Sequence, residues 1–203
     1  EVGCVGLPEF TRFVIGIVLE TKPTTFAELV KISGLSHGTD VWNGNAQDLV
    51  RNGTCKFRET IGCRDDIMVY LSNNGIKPID AFKIMELVRK GRQKKMKDKW
   101  DEYKKLLKDA NIPDWYIDSC DKIKYMFPKA HATAYISAAW RIAWFKINRP
   151  IEYYATFFSI KCFSFDLEAM ELGYDKIKER LGELRLKKFG LTVKEQDLIG
   201  TLE

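Results

Sequence analysis

Two histidines in 203 residues are too few for a histidine-rich metal centre. The five cysteines, Cys4, Cys55, Cys63, Cys120 and Cys162, include no C-x-x-C pair to supply the rest of a zinc shell, so no bound metal is expected. Their odd number and wide spacing fit reduced, mostly buried thiols inside a cell rather than a disulfide framework. No apolar run approaches the ~18 residues that a membrane span needs, and no charged-then-apolar leader opens the chain; no membrane partner and a cytoplasmic location are expected. The chain also lacks a P-loop, a dinucleotide-binding glycine fingerprint and a nucleophile elbow. Repeats and low-complexity segments are missing too, and no alternating pattern is strong enough to build a sheet. A self-sufficient enzyme is therefore hard to find in it. The opening Glu1, in place of Met, and the lack of a conventional signal at either end read as a piece cut from something longer.

What is present is helical punctuation and basic charge. An apolar fraction of 45% with 12% aromatics supports a globular core, and the net charge of +5 is compatible with a polyanionic partner. Apolar residues at helical spacing predict an all-α fold of roughly ten helices with short loops. The first falls within Pro8–Glu20, carried by Phe10, Phe13, Val14, Ile17 and Val18. Thr24 or Thr25 caps a second from Phe26 to about Ile32, with Glu28 placed for a capping box. Ser33 to Asp40 then reads either as a ligand loop rich in hydroxyl, imidazole and glycine or as an ordinary helix–helix turn. A helix over Val41–Val50 ends at Asn52-Gly53, and Thr54–Thr60 has enough alternation for a short strand-like connector. Asp65 and Asp66 look like a metal pair, but first-turn acids complementing a helix dipole explain them better. That helix stops at Asn73-Asn74-Gly75, and Pro78 opens the next.

From Arg89 to Lys108 ten basic residues stand against Asp98, Asp101 and Glu102, a local excess greater than the charge of the whole chain. The later lysines fit a solvated helix face, whereas Arg89-Lys90-Gly91-Arg92 is concentrated enough to contact phosphate. After Arg149-Pro150 a helix carries Tyr153, Tyr154, Phe157 and Phe158, expected to pack on the alanine face of its predecessor. Leu167–Lys188 reads as one long exposed helix beyond a boundary near Ser164.

The stretch from Tyr125 to Tyr135 holds the clearest site signal. Pro128 fixes the backbone for a helix start, and the first-turn amides at Lys129, Ala130 and His131 lie beside an ammonium and an imidazole, a combination that suits an anion. The plainer alternative is a solvated lysine and a half-buried, hydrogen-bonded histidine. In either case Lys129 and His131 do not share a helix face.

Four strings, Ile32-Ser33-Gly34-Leu35-Ser36-His37-Gly38-Thr39-Asp40-Val41-Trp42, Gly62-Cys63-Arg64-Asp65-Asp66-Ile67-Met68, Trp115-Tyr116-Ile117-Asp118-Ser119-Cys120 and Tyr125 to Ala132, resemble those of one family in the same order. It is the fingers region of the PolC-type α subunits of bacterial replicative DNA polymerase III, which are C-family polymerases. The resemblance covers residues 3 to about 170. It implies a mostly helical fingers domain over 1–164 that closes on an incoming deoxynucleoside triphosphate and template DNA, with 165–203 as a helical extension. It further implies that Ser36, His37, Arg64, Arg89, Lys90, Lys129 and His131 bind nucleotide and that Arg92, Lys94 and Lys95 contact DNA. Catalytic carboxylates and their Mg2+ are expected in the palm of the parent polymerase, leaving this piece inactive alone. Implied partners are primed template DNA, the remaining polymerase domains, the sliding clamp and the replisome. The competing expectations are a free-standing helical nucleic-acid-binding module and a helical scaffold whose basic face is only solvated.

Overall fold

The computed structural model describes residues 4, 6–187 and 190–202, and by packing the chain divides into two compact units, residues 1–141 and 142–203. The fold is all-α. The first unit holds α1 (Arg12–Thr21), α2 (Phe26–His37), α3 (Gln47–Arg51), α4 (Arg64–Asn73), α5 (Pro78–Arg89), α6 (Lys97–Asp109), α7 (Asp114–Lys122) and the larger part of α8 (Lys129–Asn148). Among the described residues no strand forms; one isolated antiparallel bridge joins Thr39 to Tyr125.

The signals that end and begin helices act as expected in several places. Thr25 accepts from the Glu28 amide at 3.3 Å while the Glu28 carboxylate accepts from the Thr25 amide at 3.0 Å, closing a capping box at the start of α2. Pro78 occupies the first turn of α5, where its missing N–H costs nothing. Gly75, at φ 86°, turns the chain between α4 and α5, and that hairpin builds the centre of the core. Ile67 and Leu71 of α4 meet Ala81, Ile84 and Val88 of α5, all fully buried, together with Leu107, Cys120 and Met126. Each buried Leu or Ile contributes roughly 1.5–3 kcal/mol relative to exposure. Burial pushes the Cys63 thiol up to about 12 and the Cys120 thiol higher still, so both stay protonated.

Four local expectations are corrected. Ser33 to His37 is the last part of α2, not a loop, because Ser33 and Leu35 are each only 1% exposed and Gly34 lies against the Gly62 carbonyl. Packing outweighs the poor helix propensity of Ser-Gly. The Val41–Val50 helix is broken at Asn43 and Gly44, whose φ of 66° is left-handed, and only α3 is regular. Within Thr54–Thr60 the chain makes a single 3-10 turn, Phe57–Glu59, with no neighbouring strand to pair it.

The fourth concerns the second unit. Gly173, at φ 88°, interrupts the run after Leu167, giving α10 (Leu167–Glu171) and α11 (Tyr174–Leu186), while Lys188 lies outside the described residues. Ahead of these α9 (Pro150–Thr156) runs into a wide turn over Phe157–Lys161, and α12 (Val193–Leu202) follows. The small core of this unit joins Leu184, Leu198 and Leu202 with Met170, Ile177 and Leu181. Of the four aromatics assigned to a core only Tyr153 is buried, and Tyr154 and Phe158 are exposed.

Candidate functional site

Residues 123–128, between α7 and α8, form an extended strap that ties remote parts of the first unit together through the backbone. The Lys124 amide donates to the Thr39 carbonyl at 3.1 Å, and the Thr39 amide donates to the Tyr125 carbonyl at 2.8 Å. The Met126 amide donates to Arg89 O and the Arg64 amide to Phe127 O, both at 3.1 Å. The strap thus touches the end of α2, the end of α5 and the start of α4 before it enters α8. Two glycines make the approach possible. A Cβ on Gly91, whose φ is 59°, would stand 2.3 Å from the Lys124 carbonyl oxygen, and one on Gly38 would stand 2.9 Å from that of Tyr125.

On one side of the strap three basic residues gather on Glu86. Arg89 grips the carboxylate through Nε and through Nη2 at 3.0 Å, Lys90 Nζ is 2.7 Å away, and Arg64 Nη1 approaches to 3.7 Å. The Arg89 hydrogen bond, aided by Lys90, holds the Glu86 carboxyl at about 2 against the opposing effect of burial. Arg64 Nε also lies 4.0 Å from Asp65 Oδ2, so three cations against two carboxylates leave an excess of one positive charge. Arg64 Nε is buried without a hydrogen-bond partner, which costs free energy unless a group arrives to accept from it. Glu86 had no place among the sequence candidates, although it precedes Arg89 by three residues and Lys90 by four, the spacings that bring helix side chains together.

The two histidines meet on a second patch. Their rings are 5.6 Å apart; His131 stacks on Phe127 at 4.7 Å and touches Tyr135 at 4.6 Å. His37 Nε2 lies 2.7 Å from Glu9 Oε2, which also accepts from Ser33 Oγ at 3.2 Å. Ser36 Oγ donates to the Ser33 carbonyl within its own helix.

Lys129 stands elsewhere. Its amide, expected to be free for an anion, donates instead to Asp65 Oδ2 at 2.6 Å, and the His131 amide donates to the Pro128 carbonyl at 3.1 Å. The start of α8 therefore already holds a protein carboxylate. The Lys129 side chain lines a cleft of about 350 Å³ with Lys31, Arg58, Asp66 and Tyr70. There Asp66 pairs with Lys31 at 2.9 Å and accepts from the Gly62 amide at 2.9 Å. Burial raises the Asp66 carboxyl, but Lys31 and that amide outweigh it and hold it below its ordinary value. Among the described residues no three of His, Cys, Asp and Glu are grouped to hold a metal ion.

Arg92, Lys94 and Lys95 are exposed on the turn between α5 and α6, and buried Gln93 fixes that turn by donating to Cys120 O at 2.6 Å and Ile123 O at 3.0 Å. Lys94 and Lys95 line an open groove of about 650 Å³.

Comparison with known proteins fits this arrangement into a family. The bacterial DNA polymerase III alpha subunit finger domain matches residues 2–111, which end before the strap. The chain is 54% identical over 205 residues to a PolC-type DNA polymerase III of Streptococcus suis, covering 99% of this chain and 14% of that protein. It is 54% identical over 204 residues to the Bacillus cereus PolC-type enzyme and 52% identical over 204 residues to that of Bacillus subtilis, in each case over 100% of this chain and 14% of the relative. The chain thus spans about one seventh of the length of these relatives. On these matches the chain belongs to the PolC-type DNA polymerase III family, as part of its finger region.

Proposed function

We propose that this chain is the part of a replicative DNA polymerase that binds the incoming deoxynucleoside triphosphate and the template during DNA synthesis. The observation that carries this reading is the convergence of Arg64, Arg89 and Lys90 on Glu86, with an excess of positive charge and an Arg64 Nε that makes no hydrogen bond. Phosphoryl transfer is catalysed largely by positioning and by neutralising charge on the phosphates, and a cluster of fixed guanidinium and ammonium groups provides both. Lys129, His131, Ser36 and His37 are proposed as neighbouring nucleotide contacts, and Arg92, Lys94 and Lys95 as contacts to the DNA backbone. Residues 1–164 are assigned to the fingers and 165–203 to a helical extension.

Three acids beside the proposed nucleotide contacts are already engaged by the protein. Asp66 is taken up by Lys31, Asp65 by the α8 amide and Glu86 by Arg89 and Lys90. The metal-binding carboxylates, the clamp and the other replisome partners are assigned to the rest of a longer, cytoplasmic protein. The reading is tested in the full-length polymerase with Arg89→Ala. A loss of nucleotide kcat/KM of roughly 10-fold or more, with affinity for primed DNA little changed, supports it. Unchanged nucleotide kinetics would overturn it.

A further inference from the structure

The groove beside Lys94 and Lys95 has a second wall that the sequence did not single out. Its lining includes Asp40, Asn43, Gly44, Gly91, Asp121, Lys122 and Lys124. Lys122 closes α7, with Nζ 2.9 Å from the Gly44 carbonyl, and Lys124 sits on the strap, its side chain 70% exposed and 2.6 Å from Asp40. Asp121 is occupied by the indole N–H of Trp100. Four lysines from two separate stretches therefore face one open channel against two acids, each already engaged. Gly44 and Gly91, also in its lining, carry no side chain into the channel. Gly91 follows Lys90 in the chain.

We infer that Lys122 and Lys124 form the far wall of a channel that, together with Lys94 and Lys95, grips the phosphodiester backbone of the DNA strand. This rests on the proposed polymerase function and extends its DNA contacts to residues on α7 and the strap. A sequence-independent electrostatic grip fits because lysine offers a point charge without the planar fork used to read a base edge. Structural duties supply the rival account: Lys122 complements the α7 C-terminus and Lys124 pairs with Asp40.

The test uses full-length polymerase, a fluorescently labelled primer–template and anisotropy titrations across a series of KCl concentrations. Three pairs are compared: Lys122→Gln with Lys124→Gln, Lys94→Gln with Lys95→Gln, and Lys104→Gln with Lys108→Gln as a control of equal charge on α6. Both groove pairs should make the slope of log affinity against log salt shallower by about 1.4–1.8, the control should leave it unchanged, and Lys122→Arg with Lys124→Arg should keep the parent slope. Lys124→Gln alone, at an exposed position, should give about half the change and serves if the first pair does not fold. If Lys94 and Lys95 alter the slope and Lys122 and Lys124 do not, the far wall is structural and the inference fails while the polymerase reading stands. If neither groove pair alters it, the proposed DNA contacts of this turn fail with it.

Discussion

Asp65, in the first turn of α4, accepts a 2.6 Å hydrogen bond from the backbone amide of Lys129, the first residue of α8. One carboxylate thus serves two helix starts, since it also lies at the positive end of its own helix dipole. Asp65→Ala should loosen the first turn of α8 by about 1 kcal/mol, the usual loss when a capping acceptor is removed. Hydrogen exchange at the amides of Lys129 and Ala130 measures this: faster exchange confined to that turn is expected, and unchanged protection would show that the bond contributes nothing.

With its amide occupied, Lys129 can meet a nucleotide only through its side chain. Lys129→Ala in the full-length polymerase is expected to lower nucleotide kcat/KM by ~1.5–3 kcal/mol if the ammonium reaches the triphosphate, as proposed. A change within about 0.5 kcal/mol, ordinary for a surface position, removes Lys129 from the site and leaves Arg64, Arg89 and Lys90 as its cations.

Glu86 makes stability depend on acid in a definite direction. Its folded pKa of about 2 lies below the ordinary 4.5, so the folded state favours the ionised form. The contribution is fully present above about pH 4.5 and is lost as pH falls from there through about 2. Urea unfolding as a function of pH should show the parent protein more stable than Glu86→Gln near neutrality, with the gap closing over that window. A gap that stays constant down to pH 2 would show that Arg89 and Lys90 do not favour the carboxylate.

Two helical glycines should respond oppositely to alanine. At Gly34 the new Cβ would lie 2.4 Å from the Gly62 carbonyl oxygen, a backbone contact that cannot give way cheaply, so Gly34→Ala should cost ~1–3 kcal/mol. At Gly16, exposed on α1 with nothing within 4 Å of the Cβ position, Gly16→Ala should stabilise by ~0.5–1 kcal/mol. Denaturant midpoints of the two variants check both signs.

These positions also mark how far the fold could be read from residues alone. The ends of α4 and the starts of α5 and α8 were legible because Asn-Gly and Pro restrict the backbone locally, whatever the rest of the chain does. The last turn of α2 was not, because it depends on Gly34 fitting against the carbonyl of Gly62, a contact between distant segments. Gly173 interrupts a charged run whose spacing was otherwise helical. At the site, the separate basic residues were legible by charge and the Glu86–Arg89–Lys90 contact by helix spacing, but the approach of Arg64 to Glu86 and the diversion of the Lys129 amide to Asp65 are tertiary. The strap carries no periodic signal, since what it contributes is mostly backbone.

That last property has a consequence for the order in which the protein can assemble during synthesis. Thr39, Arg64 and Arg89 leave the ribosome before the residues whose amides and carbonyls complete them. Until residues 123–128 emerge, the Thr39 amide and carbonyl, the Arg64 amide and the Arg89 carbonyl lack their native partners, and no local helix formation closes that gap. Closing long intervening loops onto one short segment makes this a slow and late event compared with forming the α4–α5 hairpin. A pause in translation just before the strap would therefore hold a nascent chain with its central hairpin formed and with the Thr39, Arg64 and Arg89 backbone groups still waiting for their strap partners.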